Sequence, residues 1–163
     1  MLIYICDDSR ADQLRLVHNI ESYAKEKGAA VTVKLFSSAD ALLREYETST
    51  EKPAVIFLDI YMDGTNGMDA AERLIELGME NGLVFTTSSE IHAVKAFSIG
   101  ADGYLHKPFT HDDFVRAMKR FSRLFEESRR YITVMQGGES LIVPVRLRRS
   151  VKEQMKSAGR SEG

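Results

Sequence analysis

The chain has 163 residues, enough for one domain with a sizeable core plus a short extension. Its 44% hydrophobic and 28% charged content is that of an ordinary globular protein, and a formal net charge of -2 gives no overall pull toward nucleic acid or anionic membrane. No stretch approaches the ~20 apolar residues of a membrane helix, so no membrane contact is expected. A single cysteine excludes an internal disulfide and makes a reducing cytoplasm the expected compartment.

Strand-like and helix-like segments alternate five times. Leu2 to Cys6 is an apolar run fit for a buried strand. Ser9 to Asp12 reads as a capping box, followed by a helical stripe of Ala11, Leu14, Val17, Ile20 and Ala24 that Gly28 is placed to end. Val31 to Phe36 is a second strand, and Ser37-Ser38 opens a helix to about Glu47. Ala54 to Asp59 forms strand three, and a Gly-containing loop leads to a helix from Gly67 to Leu77. Leu83 to Thr87 is strand four, Glu90 to Ile99 a fourth helix, and Tyr104 to His106 a short fifth strand. Thr110 to Asp113 caps a last helix with Phe114, Met118, Phe121 and Phe125 on one face. Beyond it, Tyr131 to Gln136 and Glu139 to Val145 suggest a hairpin around Gly137-Gly138, and a basic tail with Arg146, Arg148, Arg149 and Lys152 follows.

Continuous apolar strands separated by helices imply a parallel sheet covered on both faces, hence a doubly wound α/β fold. Such folds place their sites at the carboxyl ends of the strands. There the sequence sets Asp7-Asp8, Asp59, Thr87 and Lys107-Pro108. Converging carboxylates repel by ~4 kcal/mol per pair at ~4 Å and an effective dielectric of ~20. A cation relieves that, and oxygen ligands without clustered His or Cys favour Mg²⁺. Mg²⁺ beside a carboxylate, with a lysine and a hydroxyl opposite, suits phosphoryl transfer onto that carboxylate. The four histidines, His18, His92, His106 and His111, show no metal-ligand spacing and are expected to be solvated or capping. Cys6 is expected in the core beneath the site. A cis Lys107-Pro108 bond is expected, turning the lysine back toward Asp59.

Four stretches, LIYICDDS, AVIFLDIYMDGTNGMD, GLVFTTSSE and ADGYLHKPF, together resemble the receiver domain of bacterial two-component response regulators. The resemblance implies a flavodoxin-like (βα)5 fold with sheet order 2-1-3-4-5, over residues 1–126. It implies Asp59 as the phosphoacceptor, Asp7, Asp8, Asp59 and the Tyr61 backbone carbonyl as Mg²⁺ ligands, Lys107 as the phosphate-binding lysine, and Thr87 and Tyr104 as the switch pair. A sensor histidine kinase is the implied partner. Homodimerisation through the fourth helix, fifth strand and fifth helix is the implied response. Asp63 stands where many receivers have proline, an expected loosening of the loop after Asp59. Ser89 and Tyr61 occupy positions that affect phosphate loss in the family.

The match narrows to regulators of the AgrA/LytR type, whose output domain is a β-rich, DNA-binding LytTR domain. YITVMQGGESLIVPV resembles the beginning of one, so residues 127–163 are expected to be a linker, a hairpin-like start of a truncated output domain and a basic tail. DNA binding would then need the missing remainder. The rival reading, an Mg²⁺-dependent phosphohydrolase with an aspartyl-phosphate intermediate, needs a carboxylate two residues after the nucleophile, where Tyr61 stands.

Overall fold

The computed structural model describes residues 1–80, 82–88 and 98–128, with the strand backbones of Tyr131–Gln136 and Glu139–Pro144. Five parallel strands, β1 (Leu2–Cys6), β2 (Thr32–Phe36), β3 (Val55–Asp59), β4 (Leu83–Thr87) and β5 (Gly103–His106), pair in the order β2-β1-β3-β4-β5. The three inner strands are buried along their whole length, which is why they read as unbroken apolar runs. β2 and β5 are edges and alternate toward solvent.

The helices are α1 (Arg10–Lys27), α2 (Ala39–Thr48), α3 (Gly67–Glu76), α4 (His111–Met118) and α5 (Ser122–Ser128), the last two joined by a 3₁₀ turn at Lys119–Phe121. Ser9, Ser38, Asn66 and Thr110 each cap a start, a side-chain oxygen accepting a first-turn N–H. Gly28 ends α1 in the left-handed region at φ 63°, its N–H reaching the Ala24 and Lys25 carbonyls. β6 (Tyr131–Gln136) and β7 (Glu139–Pro144) pair antiparallel, in register from Tyr131↔Pro144 to Gln136↔Glu139.

The sheet separates two cores. Leu2, Tyr4, Cys6, Ile56, Leu58 and Phe85 meet α2 and α3 on one face. Ile3, Ile5, Val55, Phe57, Val84 and Leu105 meet α1, α4 and α5 on the other. Each buried Ile, Leu or Phe contributes roughly 1.5–3 kcal/mol.

Two expectations change. The apolar stripe assigned to α1 is its buried face only in part: Ile20 and Ala24 are buried, whereas Leu14 is 50% exposed and Ala11 is exposed. The buried face is Gln13, Leu16, Asn19, Ile20, Tyr23 and Ala24. Two polar residues belong to it because their amides find partners: Gln13 Nε2 donates to the Asp7 and Phe36 carbonyls at 2.7 and 3.0 Å, and Asn19 Nδ2 to the Arg15 carbonyl at 2.9 Å. The last helix is broken at Lys119–Phe121, although Phe114, Met118, Phe121 and Phe125 are all buried as expected. His111, expected to be solvated or capping, is exposed at the start of α4, with Nδ1 2.7 Å from Asn19 Oδ1 and its ring stacked on Phe114. The expected fourth helix, Ser89, His92, the Gly137-Gly138 turn and the basic tail lie on residues outside those described.

Candidate functional site

The site stands at the carboxyl ends of β1, β3, β4 and β5. Asp7 follows β1, and its side chain is fully buried. One oxygen, Oδ1, accepts the Ser9 N–H at 2.9 Å, and Oδ2 lies 2.6 Å from Lys107 Nζ. Asp59 ends β3 with its side chain 8% exposed. Its Oδ1 accepts the Tyr61 N–H at 3.2 Å, and its Oδ2 takes Lys107 Nζ at 2.9 Å. Asp8 is exposed at the rim, and ligand oxygens of Asp7, Asp8 and Asp59 all lie within 4.8 Å of one another. Hard carboxylate donors at that spacing fit a small divalent cation that keeps part of its water shell.

Lys107 is carried by the β5–α4 corner, where the Lys107-Pro108 bond is cis, as expected. Its N–H donates to the Thr87 carbonyl at 2.7 Å, which ties the corner to the end of β4. Nζ crosses to Asp7 and Asp59, and also lies 3.3 Å from Asp12 Oδ2 on α1. Burial is the largest influence on its pKa and pulls it down, but the bonds to Asp7 and Asp59 outweigh it and hold the ammonium above its ordinary 10.5. Burial pushes the Asp59 carboxyl up from its ordinary 3.8, against the opposing pull of Lys107. Cys6 is buried beneath the pocket with Sγ 3.6 Å from Met62 Sδ, and burial pushes its thiol up to about 12, so it is inert.

Thr87 is fully buried at the end of β4, and Tyr104 on β5 is partly buried against the α2–α3 core. Tyr61 is 46% exposed on the loop after β3. That loop is fastened at two points, the Asp63 N–H donating to Asp8 Oδ2 at 3.2 Å and Thr65 Oγ1 to Asp40 Oδ1 at 2.9 Å. Asp63 was expected to loosen the loop. Instead it supplies an N–H to Asp8 that proline lacks. α3 starts hard against the site: a Cβ on Gly67 would lie 2.0 Å from the Asp59 carbonyl oxygen.

Sequence reasoning missed Asp12, Gln13 and Thr86. Asp12 was spent on a helix cap, and Gln13 carried no apolar signal. Thr86 is the register partner of Asp59, and its hydroxyl is buried with no hydrogen-bond partner among the described residues. The Thr86-Thr87 pair was the signal available for it.

Fold and site define a doubly wound α/β protein that gathers an acidic pocket and one lysine at its strand ends. The chain belongs to the response regulator receiver domain family, matched over residues 3–119, and so is a receiver of the two-component type. Such receivers are phosphoacceptor switches rather than turnover enzymes. The sensory transduction protein LytT of Enterococcus faecalis is 31% identical over 99 residues, 61% of this chain and 41% of that protein. The positive alginate biosynthesis regulatory protein of Pseudomonas aeruginosa is 32% identical over 127 residues, 76% of this chain and 48% of that protein. The chain thus spans less than half the length of these relatives. Among solved structures, the response regulatory domain of mrkE from Klebsiella pneumoniae superposes with TM-score 0.67 at 23% identity, covering 78% of this chain and 99% of that one. Thermotoga maritima TrrA superposes with TM-score 0.62 at 18% identity, covering 73% and 96%. Both show the fold. No helix among the described residues is long and apolar enough to cross a membrane.

Proposed function

We propose that this chain is a phosphorylation switch whose acceptor is Asp59 and whose phosphoryl donor is a sensor histidine kinase. The observation that carries this reading is the placement of Lys107 Nζ at 2.6 Å from Asp7 and 2.9 Å from Asp59, residues 100 and 48 positions away. In transfer, an Asp59 carboxylate oxygen attacks the phosphorus in line. The new O–P bond forms as the P–N bond to the kinase imidazole breaks. Asp59 retains lone pairs beyond those held by Tyr61 and Lys107. Lys107 neutralises charge on the transferred oxygens, and its bonds keep it an ammonium throughout the physiological range.

Asp7, Asp8, Asp59 and the Tyr61 carbonyl would hold Mg²⁺, which supplies charge neutralisation to the phosphoryl group when bound. Thr87 and Tyr104 are the switch pair, Thr87 donating to the phosphoryl and Tyr104 following it. That movement reshapes the face made by β5 and α4 for a second copy. Residues 1–126 form the receiver, and 127–163 a linker, the hairpin-like start of a LytTR-type output domain and a basic tail. The kinship with LytT proteins supports transcriptional output in the full-length protein, in the cytoplasm. DNA would be bound through a LytTR-type domain.

The test is intact-mass measurement after acetyl phosphate and Mg²⁺. One phosphoryl group is expected on the wild type and none on Asp59→Asn, whose amide nitrogen cannot replace the acyl-phosphate oxygen. Persistent labelling of the variant at any residue removes Asp59 from the role.

A further inference from the structure

Asp12 is the fourth carboxylate of the pocket and the one that the acidic cluster does not need. Its oxygens are not among those that converge with Asp7, Asp8 and Asp59. Asp12 sits in the first turn of α1, where its N–H donates to Ser9 Oγ at 3.3 Å. In a complete capping box its carboxylate would return to the Ser9 N–H. That N–H is already taken by Asp7 Oδ1 at 2.9 Å. The Asp12 carboxylate is released from the cap, and its two oxygens face two cations: Arg15 at 3.4 Å from Oδ1 and Lys107 at 3.3 Å from Oδ2.

An ammonium has three N–H donors and no acceptor. Lys107 faces three carboxylates, Asp7 at 2.6 Å, Asp59 at 2.9 Å and Asp12 at 3.3 Å. Asp7 and Asp59 each accept a hydrogen bond from Nζ, while Asp12 pairs with it by charge alone. A phosphoryl group brings further negative charge to Nζ and competes with all three carboxylates for it. Asp12 is the longest contact and the most hydrated, its side chain being 26% exposed against 0% for Asp7 and 8% for Asp59. It loses least on separation, since water and Arg15 take over its charge.

Resting on the phosphoacceptor reading above, we propose that Asp12 is a positioning residue whose carboxylate pairs with the Lys107 ammonium in the resting chain and gives that pairing up to the phosphoryl group. It fixes Nζ centrally over the pocket and holds back phosphorylation until the exchange is made.

The full chain with Mg²⁺ decides this, using wild type, Asp12→Ala and Asp12→Glu. Labelling by acetyl phosphate should be about five-fold faster in Asp12→Ala, the scale of one hydrated charge pair at ~4 Å. Asp12→Glu, which keeps the carboxylate, should return toward the wild-type rate. The ¹⁵N-lysine ammonium signal of Lys107, assigned by its loss in Lys107→Ala, should shift in Asp12→Ala and recover in Asp12→Glu, with no donor present. Equal labelling rates with an unmoved Lys107 signal and only a lower unfolding midpoint would make Asp12 a helix-start residue and overturn the proposal. Absence of labelling in the wild type would instead strike the phosphoacceptor reading, and the Lys107 signal would still decide the contact. If Asp12→Ala does not fold, Asp12→Asn, which also removes the charge, should show the same signs.

Discussion

Two helices of this chain begin with the same pattern, a hydroxyl residue followed three positions later by aspartate, and they use it differently. At α4, Thr110 and Asp113 close a reciprocal box: Thr110 Oγ1 accepts the Asp113 N–H at 3.2 Å, and Asp113 Oδ2 accepts the Thr110 N–H at 2.9 Å. At α1 only the first half forms, because the strand that feeds the helix ends in Asp7, and Asp7 captures the Ser9 N–H. The α4 start is at the surface and its acid serves the helix. The α1 start adjoins a buried lysine and its acid serves the pocket. A capping motif therefore specifies where a helix begins, while the preceding residues decide what its acid is free to do.

The comparison breaks most readily at the lysine. Lys107→Ala strips the common partner from Asp7, Asp59 and Asp12, and leaving buried charges unpaired costs about 3 kcal/mol or more. Urea unfolding in metal-free buffer should show that loss, and added Mg²⁺ should recover part of it. Arg116→Ala, which removes an exposed partner of Asp113, should leave the midpoint unchanged. Similar effects of the two substitutions would erase the distinction between the two helix starts.

Smaller effects come from the hydroxyls. Thr110→Ala and Ser9→Ala should each cost ~1 kcal/mol as lost N-caps. Double-mutant cycles should then separate them: Thr110 and Asp113 couple, whereas Ser9 and Asp12 act independently. Coupling at Ser9 would mean that Asp12 returns to the cap in solution.

The smallest effect is in the pH dependence. Hydrogen bonds from Thr110 hold Asp113 below its ordinary 3.8, so its contribution is present above that value and is lost as pH falls through the lowered one. Lys107 titrates above its ordinary 10.5 in the folded chain, so its contribution is present below that value and is lost as pH rises through the raised one. Unfolding midpoints should show the Thr110→Ala difference shrinking in acid and the Lys107→Ala difference shrinking in strong alkali.

The strands were legible because burial on both faces leaves them unbroken apolar runs, and Leu83–Thr87 was legible residue for residue. Site residues at strand ends were legible for the same reason, since each run stops where its charge or hydroxyl begins. The buried face of α1 was legible only at Ile20 and Ala24. Gln13 and Asn19 lie on it because the carbonyls of Asp7 and Phe36 and the side chain of His111 satisfy their polar groups, and those partners are distant in sequence. Hydrophobic periodicity registers a carbon stem and misses an amide that finds its partner only after folding. Asp12 was illegible for a related reason: its pattern pointed to a local role that a neighbouring residue had already filled.

Gly67 has no functional group, yet its missing side chain leaves the only room in which helix α3 can approach the Asp59 carbonyl. Any replacement must push back either the helix or the strand end that carries Asp59. Tolerance to mutation is thus set by clearance as much as by reactivity. A neighbour's backbone therefore closes this position to every side chain, whatever its chemistry.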